Sequence, residues 1–211
     1  MDTPEAGGEG GAGPIRLILW RHGQTAWNVT GRVQGQTDVD LDETGVAQAA
    51  ATAPRVAQYR PDLIVSSDLR RAARTAAALA DVTGLPVEYD ARLRERYYGE
   101  WQGLEHAEIK ERYPEQYARW GVVEPIGVDT IELLPDMAAR VAEAMRDIAE
   151  RIGPGGTAVL VTHGAAARAG MCVLLGWPVE HERSIGVLRN CGIAELRCAD
   201  QRGWQLRAYN L

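Results

Sequence analysis

Apolar positions along the chain fall into short continuous runs separated by polar and alanine-rich stretches. The first run, Ile15-Arg16-Leu17-Ile18-Leu19-Trp20, stops at Arg21-His22-Gly23. A run of that length with polar bounds predicts a buried strand ending in a loop. Gly, Asp and Thr dominate from Asn28 to Asp42 and predict a loop. Asp42-Glu43-Thr44-Gly45 then opens a helix that the alanine-rich run carries to about Tyr59. After Pro61-Asp62, Leu63-Ile64-Val65-Ser66 predicts a second buried strand. Ser67-Asp68 is placed to cap a helix from Leu69 to about Val82, which ends before Gly84. Val87-Glu88-Tyr89 fits a short third strand.

The middle of the chain is less regular. A loop holding Glu95 and Trp101 leads to a weak helical pattern from about Glu105 to Trp120, broken by Pro125 and Gly127. Met137, Val141, Met145 and Ile148 recur at helical spacing within Leu134–Ile152, and Gly153-Pro154-Gly155-Gly156 stops that helix. Thr157 to Val161 predicts a strand ending at Thr162-His163-Gly164, followed by a helix of small residues. Gly192 to Cys198 and Trp204 to Tyr209 predict two closing strands joined by a turn near Asp200-Gly203.

Strands alternating with helices in this order predict an α/β domain: a three-layer α/β/α sandwich with a largely parallel central sheet. The domain is expected over residues 15–211, with a small cap at about 95–134 and an acidic, glycine-rich disordered tail over 1–14. The tail has neither a basic nor an apolar segment of the signal-peptide kind, so the cytoplasm is the default location.

The 211 residues carry 45% hydrophobic and 25% charged side chains, as ordinary globular domains do, and a formal net charge of −6. That balance disfavours nucleic acid as a partner, and no apolar segment is long enough for a membrane span. Three cysteines, Cys172, Cys191 and Cys198, form neither a disulfide framework nor a metal knuckle and are expected as free thiols. If the protein self-associates, a homodimer is the expected form.

In an open α/β sheet, ligands bind beyond the carboxyl ends of the strands. Three predicted strands end in polar signals there: Arg21-His22-Gly23, Ser66-Ser67-Asp68 followed by Arg70 and Arg71, and Thr162-His163-Gly164. Two imidazoles and several arginines thus converge on one rim. A glycine after each histidine leaves room for a ligand beside the ring, and guanidinium forks fit phosphoryl oxygens. Cations at the start of a helix oppose its dipole, so Arg70, Arg71 and Arg74 need an anionic partner. No third His or Cys at ligand spacing supports a metal site. Trp101, Trp120 and Trp177 are expected as packing residues, with His106 and His181 at the surface.

Leu19-Trp20-Arg21-His22-Gly23-Gln24-Thr25, with Asn28 and Gln34-Gly35, resembles the signature of the histidine phosphatase superfamily, which includes cofactor-dependent phosphoglycerate mutases. The resemblance continues through Ser66-Ser67-Asp68-Leu69-Arg70-Arg71-Ala72, Leu93-Arg94-Glu95, Gly99-Glu100-Trp101-Gln102-Gly103 and Val161-Thr162-His163-Gly164. It implies His22 as a nucleophile that becomes phosphohistidine, without metal or other cofactor. Arg21, Arg71 and His163 would bind the phosphoryl oxygens. Glu95 would be general acid and then base, and Asn28, Gln34 and Gly35 would line the substrate side. Arg70 and Arg74 are expected on the helix surface. Many relatives place Gly where this chain has Ala165.

Two chemistries share that nucleophile. A 2,3-bisphosphoglycerate-dependent phosphoglycerate mutase must hold its intermediate. The mutases carry for this a lysine, here His106, and an Arg-Arg pair that does not occur between Gly103 and Pro135. The resemblance therefore implies hydrolysis of a small phosphoester, a sugar phosphate or phosphoglycerate derivative, in the pattern of bacterial broad-specificity and glucosyl-3-phosphoglycerate phosphatases. A phosphate-binding module without turnover is the third alternative, disfavoured because His22, Arg71, Glu95 and His163 are all present.

Overall fold

The computed structural model describes residues 13–120, 126–199 and 203–211. The alternation along the chain becomes one six-stranded sheet: β1 (Ile15–Arg21), β2 (Leu63–Ser66), β3 (Val87–Tyr89), β4 (Thr157–Thr162), β5 (Ile193–Cys198) and β6 (Trp204–Tyr209), in the order β3-β2-β4-β1-β5-β6. β3, β2, β4 and β1 run parallel, while β5 and β6 close the far side as antiparallel neighbours. The expected α/β architecture with a largely parallel sheet is therefore observed. Of the tail expected over 1–14, only Gly13 and Pro14 are described. Pro125 and most of the turn near Asp200-Gly203 also lie outside the described residues.

Helices α2 (Glu43–Ala57) and α3 (Arg70–Thr83) cover one face, and α6 (Leu134–Ile152) and α7 (Gly164–Leu174) the other. Period-two alternation within each strand produces this layering. In β1, Ile18 and Trp20 pack on the α2–α3 side, whereas Leu17 and Leu19 pack on the α6–α7 side. β4 repeats the arrangement with Val159 and Val161 against Ala158 and Leu160. A strand buried on both faces reads as a continuous apolar run, which is why β1 and β4 stood out in the sequence. Each fully buried Leu or Ile contributes about 1.5–3 kcal/mol relative to an exposed one.

β1 and β4 are neighbours, and β4 lies between β1 and β2. The chain therefore passes to one side of β1 for β2 and β3 and to the other for β5. The carboxyl ends of β1 and β4 form the topological switch point at which such sheets hold ligands.

A separate small cluster of Val33, Tyr98, Trp101, Ile109, Ile126 and Ile131 packs among the loop after α1 (Ala26–Thr30), α4 (His106–Arg112), α5 (Pro114–Arg119) and the loops around them. The helix expected from Glu105 to Trp120 is thus two short helices, because Pro114 cannot continue the first and starts the second. Trp101 is fully buried as expected; Trp177 is 46% exposed and is not a packing residue. All three cysteines are free, two of them buried. Among the described residues no helix is long and apolar enough to cross a membrane.

The cap expected for α3 from Ser67-Asp68 does not form. Leu69 occupies the N-cap position with no side-chain bond. Asp68 instead pairs with Arg94. Asp38, from the preceding loop, accepts the Arg70 N–H at 2.8 Å. Asp38 and Asp40 also pair with the Arg70 and Arg74 side chains at 3.0 and 3.3 Å. The anionic partners that these two cations needed are therefore carboxylates of the protein itself. Both arginines are surface groups, and only Arg71 turns inward.

Candidate active site

The His22 N–H extends the β1–β4 ladder by donating to Thr162 O at 3.0 Å. His163 follows directly on β4 as the N-cap residue of α7. Two imidazoles from opposite halves of the chain consequently stand with ring centroids 5.1 Å apart. His22 is 3% exposed and His163 fully buried.

The His22 ring is pinned from one side. Its Nδ1 donates to the carbonyl of Gly23 at 2.7 Å, so the lone pair of the neutral ring lies on Nε2. Burial, then the charges of Arg71 and Arg21, hold its pKa well below the usual imidazole value. The ring is neutral near pH 7 and Nε2 is free to attack. Gly23 serves a different purpose from the one expected. A Cβ there would stand 2.5 Å from the carbonyl oxygen of Gly45, so the glycine lets this loop pass close over the start of α2. Gly164 does border the ligand space, beside the Arg21 guanidinium.

Arg71 is 1% exposed. It donates to Thr37 O at 2.8 Å, to Gly35 O at 2.7 Å and, through Nε, to His163 Nδ1 at 3.2 Å. Burial draws its pKa down to about 10, still cationic at neutral pH. Because His163 Nδ1 accepts, its Nε2 carries the proton and donates to Ser67 Oγ at 2.9 Å. Arg21 donates to Leu188 O at 2.6 Å, while its buried Nε has no partner among the described residues.

Glu95 lies in a loop that Arg140 holds down. Arg140 donates to the carbonyls of Arg92, Arg94 and Glu95, at 2.7, 2.7 and 3.0 Å, and pairs with Glu132 at 2.6 Å. The Glu95 carboxylate caps α7. Oε1 accepts from Arg96 N and Ala166 N, both at 2.9 Å, and Oε2 accepts from Ala165 N at 3.1 Å. Oε2 is thus the oxygen with a lone pair to spare. Ala165 supplies its backbone N–H here, for which no glycine is required.

A cavity of about 620 Å³ is lined by Arg21, His22, Asn28, Gln34, Gly35, Arg71 and Glu95. Seven of the eight expected site residues therefore share one wall, and His163 stands behind them against Arg71 and His22. Asn28 Oδ1 is used by Thr25 and Asn190, which leaves its amide N–H₂ for a ligand. Gln34 Oε1 is buried without a partner among the described residues. Gly35, at φ +52, contributes the carbonyl that anchors Arg71.

Sequence reasoning missed the outer wall. Arg168 and Arg183 line it with His106, Tyr117 and Trp120. Arg168 had a signal, as the single charged residue in the small apolar helix Gly164–Leu174. His106 is exposed as expected, yet its ring stacks on Trp120 at 4.9 Å at the cavity mouth. Among the described residues no group of three or more His, Cys, Asp or Glu is placed to hold a metal ion.

The model of the histidine phosphatase superfamily (branch 1) matches residues 17–211. The chain is 42% identical over 188 residues to a glucosyl-3-phosphoglycerate phosphatase of Mycobacterium tuberculosis (strain ATCC 25618 / H37Rv), covering 86% of this chain and 84% of that protein. It is 35% identical over 187 residues to a probable phosphoglycerate mutase of Yersinia pestis (strain Pestoides F), covering 86% and 84%. The solved structure of a mycobacterial glucosyl-3-phosphoglycerate phosphatase in complex with VO3 matches with a TM-score of 0.85 at 38% identity, over 92% of this chain and 98% of that one.

Proposed function

The chain belongs to the histidine phosphatase superfamily and is a phosphoric monoester hydrolase of small phosphorylated metabolites, and we propose that it works without a metal, through a phosphohistidine on His22. The observation that carries this reading is the pinned, neutral His22 ring beside the buried Arg71 guanidinium and the half-buried Arg21.

His22 Nε2 attacks phosphorus as the bond to the leaving oxygen breaks, in line. Arg21 and Arg71 hold the non-bridging oxygens, where charge is spread in the transition state. His163 accepts from Arg71 Nε through Nδ1 and so orients that guanidinium behind the phosphoryl oxygens. Protonated Glu95 gives its proton from Oε2 to the leaving alkoxide. As carboxylate, it then takes a proton from the water that attacks phosphorus, and the N–P bond breaks to release inorganic phosphate. Asn28 and Gln34 offer neutral contacts to the departing alcohol, and the Gly35 carbonyl fixes Arg71.

The substrate is a sugar phosphate or phosphoglycerate derivative. Hydrolysis is favoured over mutase chemistry because His106 and the short helices α4 and α5 supply no paired arginines above the phosphoryl site. The protein acts in the cytoplasm, and if it self-associates it does so as a homodimer; residues 15–211 make one domain with a cap at about 95–134.

The test is acid-labile labelling by a phosphate-labelled substrate. Wild type is expected to carry a label that His22→Ala lacks, with hydrolysis lost in the variant. A label retained by His22→Ala, or hydrolysis unchanged, would sink the assignment. Supplying 3-phosphoglycerate with 2,3-bisphosphoglycerate should yield phosphate, and rapid formation of 2-phosphoglycerate would reverse the choice against a mutase.

A further inference from the structure

The cavity carries more positive charge than one phosphoryl group uses. Arg21 and Arg71 flank His22, and Arg32 is matched by Glu105 at 2.7 Å and Glu108 at 3.7 Å. Arg168 and Arg183 on the outer wall are not matched in the same way. Among the described residues they share a single carboxylate, Glu182, at 3.0 and 3.4 Å. Glu182 is only 4% exposed and is therefore fixed in place. Among the described residues this leaves one positive charge uncompensated at this end of the cavity. The buried Nε of Arg168 also has no hydrogen-bond partner among the described residues. A buried unpaired donor is costly, and a ligand acceptor would satisfy it.

Beside these arginines is a flat surface. His106 stacks on Trp120 at an interplanar angle of 17°, Tyr117 packs edge-on at 5.8 Å, and the Arg183 guanidinium lies 5.7 Å from the Trp120 ring. The Trp120 indole N–H is buried and unpartnered among the described residues. Such a wall suits the face of a short hydroxylated chain or ring.

We propose that Arg168 and Arg183 form a second anion site, which receives a carboxylate on the alcohol that leaves when His22 takes the phosphoryl group. This rests on the phosphomonoesterase reading of the same cavity. A carboxylate fits better than a second phosphate, since one uncompensated charge balances a monoanion and Glu182 repels a dianion. The preferred substrates are therefore phosphorylated hydroxy acids, with or without a further group along the Trp120 wall. Arg168 and Arg183 determine specificity and take no part in bond breaking.

Competition against p-nitrophenyl phosphate hydrolysis tests this with two near-isosteric esters, 3-phosphoglycerate and glycerol 3-phosphate, which differ by a carboxylate against a hydroxymethyl group. Wild type is expected to bind 3-phosphoglycerate at least about tenfold more tightly, as a charge-assisted pair predicts. Arg168→Gln should shrink that ratio about tenfold, Arg168→Lys should restore part of it, and Arg183→Gln, at an exposed position, reports on the same ratio if Arg168→Gln does not fold. Equal inhibition constants in wild type, or a ratio unchanged in Arg168→Gln and Arg183→Gln, overturn the second site. Failure of wild type to hydrolyse p-nitrophenyl phosphate at all would instead strike the phosphomonoesterase reading.

Discussion

Arg71 Nε points at His163 Nδ1, 3.2 Å away, and so fixes the protonation state of a ring it does not otherwise touch. A guanidinium can only donate, hence His163 accepts and is neutral. Burial and Arg71 press its pKa well below the usual value, as they do for His22.

Acid should therefore destabilise the fold early. Both folded-state pKa values lie below the unfolded value, so from about pH 6.5 downward the unfolded chain binds two protons that the folded chain refuses. Stability is level above that pH and falls below it, by up to about 1.4 kcal/mol per pH unit for each ring. Chemical denaturation between pH 8 and pH 5 measures the slope. A His22→Gln variant should show about half of it, and a flat profile in wild type would contradict the buried neutral pair.

Glu95→Gln should lower turnover of an alkyl phosphate about 10²–10⁴-fold, the usual worth of a general acid. The effect should be much smaller for p-nitrophenyl phosphate, whose phenolate leaves without a proton. Equal losses on both esters would assign Glu95 a purely structural part as the cap of α7.

Arg140→Met should reproduce the same dependence on leaving group at smaller size. Arg140 reaches no substrate; it positions Glu95 through three carbonyl oxygens and the Glu132 pair. The expected change is about tenfold in kcat on the alkyl ester with KM little altered. A change in KM alone would remove it from this role.

Gly45→Ala should cost about 1–3 kcal/mol, as overpacking usually does. Its Cβ would fall 2.0 Å from the carbonyl oxygen of Gln24, a backbone atom that cannot swing aside. Gly186→Ala, with open space around the new methyl group, is the matched control and should be near neutral. Urea midpoints of the two variants decide the matter.

Asp38→Ala removes the carboxylate that caps α3 from a distance and should cost about 1 kcal/mol. Arg70→Ala, which keeps the backbone N–H, should cost less because it loses only an exposed ion pair. The reverse order in thermal denaturation would reject Asp38 as the cap.

β1 and β4 were legible because both faces of each are buried, so their sequences are uninterrupted apolar runs. His22, Arg71 and His163 were legible because parallel strands share one carboxyl rim. The His106–Trp120 stack was not, since its place depends on how an irregular segment docks rather than on any local period. The α3 cap failed for a similar reason. Asp38 stands 32 positions before the N–H it accepts, and no helix signal covers that span. Gly23 was read as clearance for a ligand, whereas the close approach it permits is to Gly45, a neighbour visible only in three dimensions.

The position of β4 between β1 and β2 has a kinetic consequence. β2 can pair with β3 early, but β1 has neither of its neighbours until β4 and β5 have been made, so its place in the sheet is not settled before then. The nucleophile is near the amino terminus and the ring beside it arrives with β4. Enzymatic competence is thus acquired only once the long-range pairing of β1 with β4 closes, and recovery of activity after dilution from urea should lag behind recovery of helical signal.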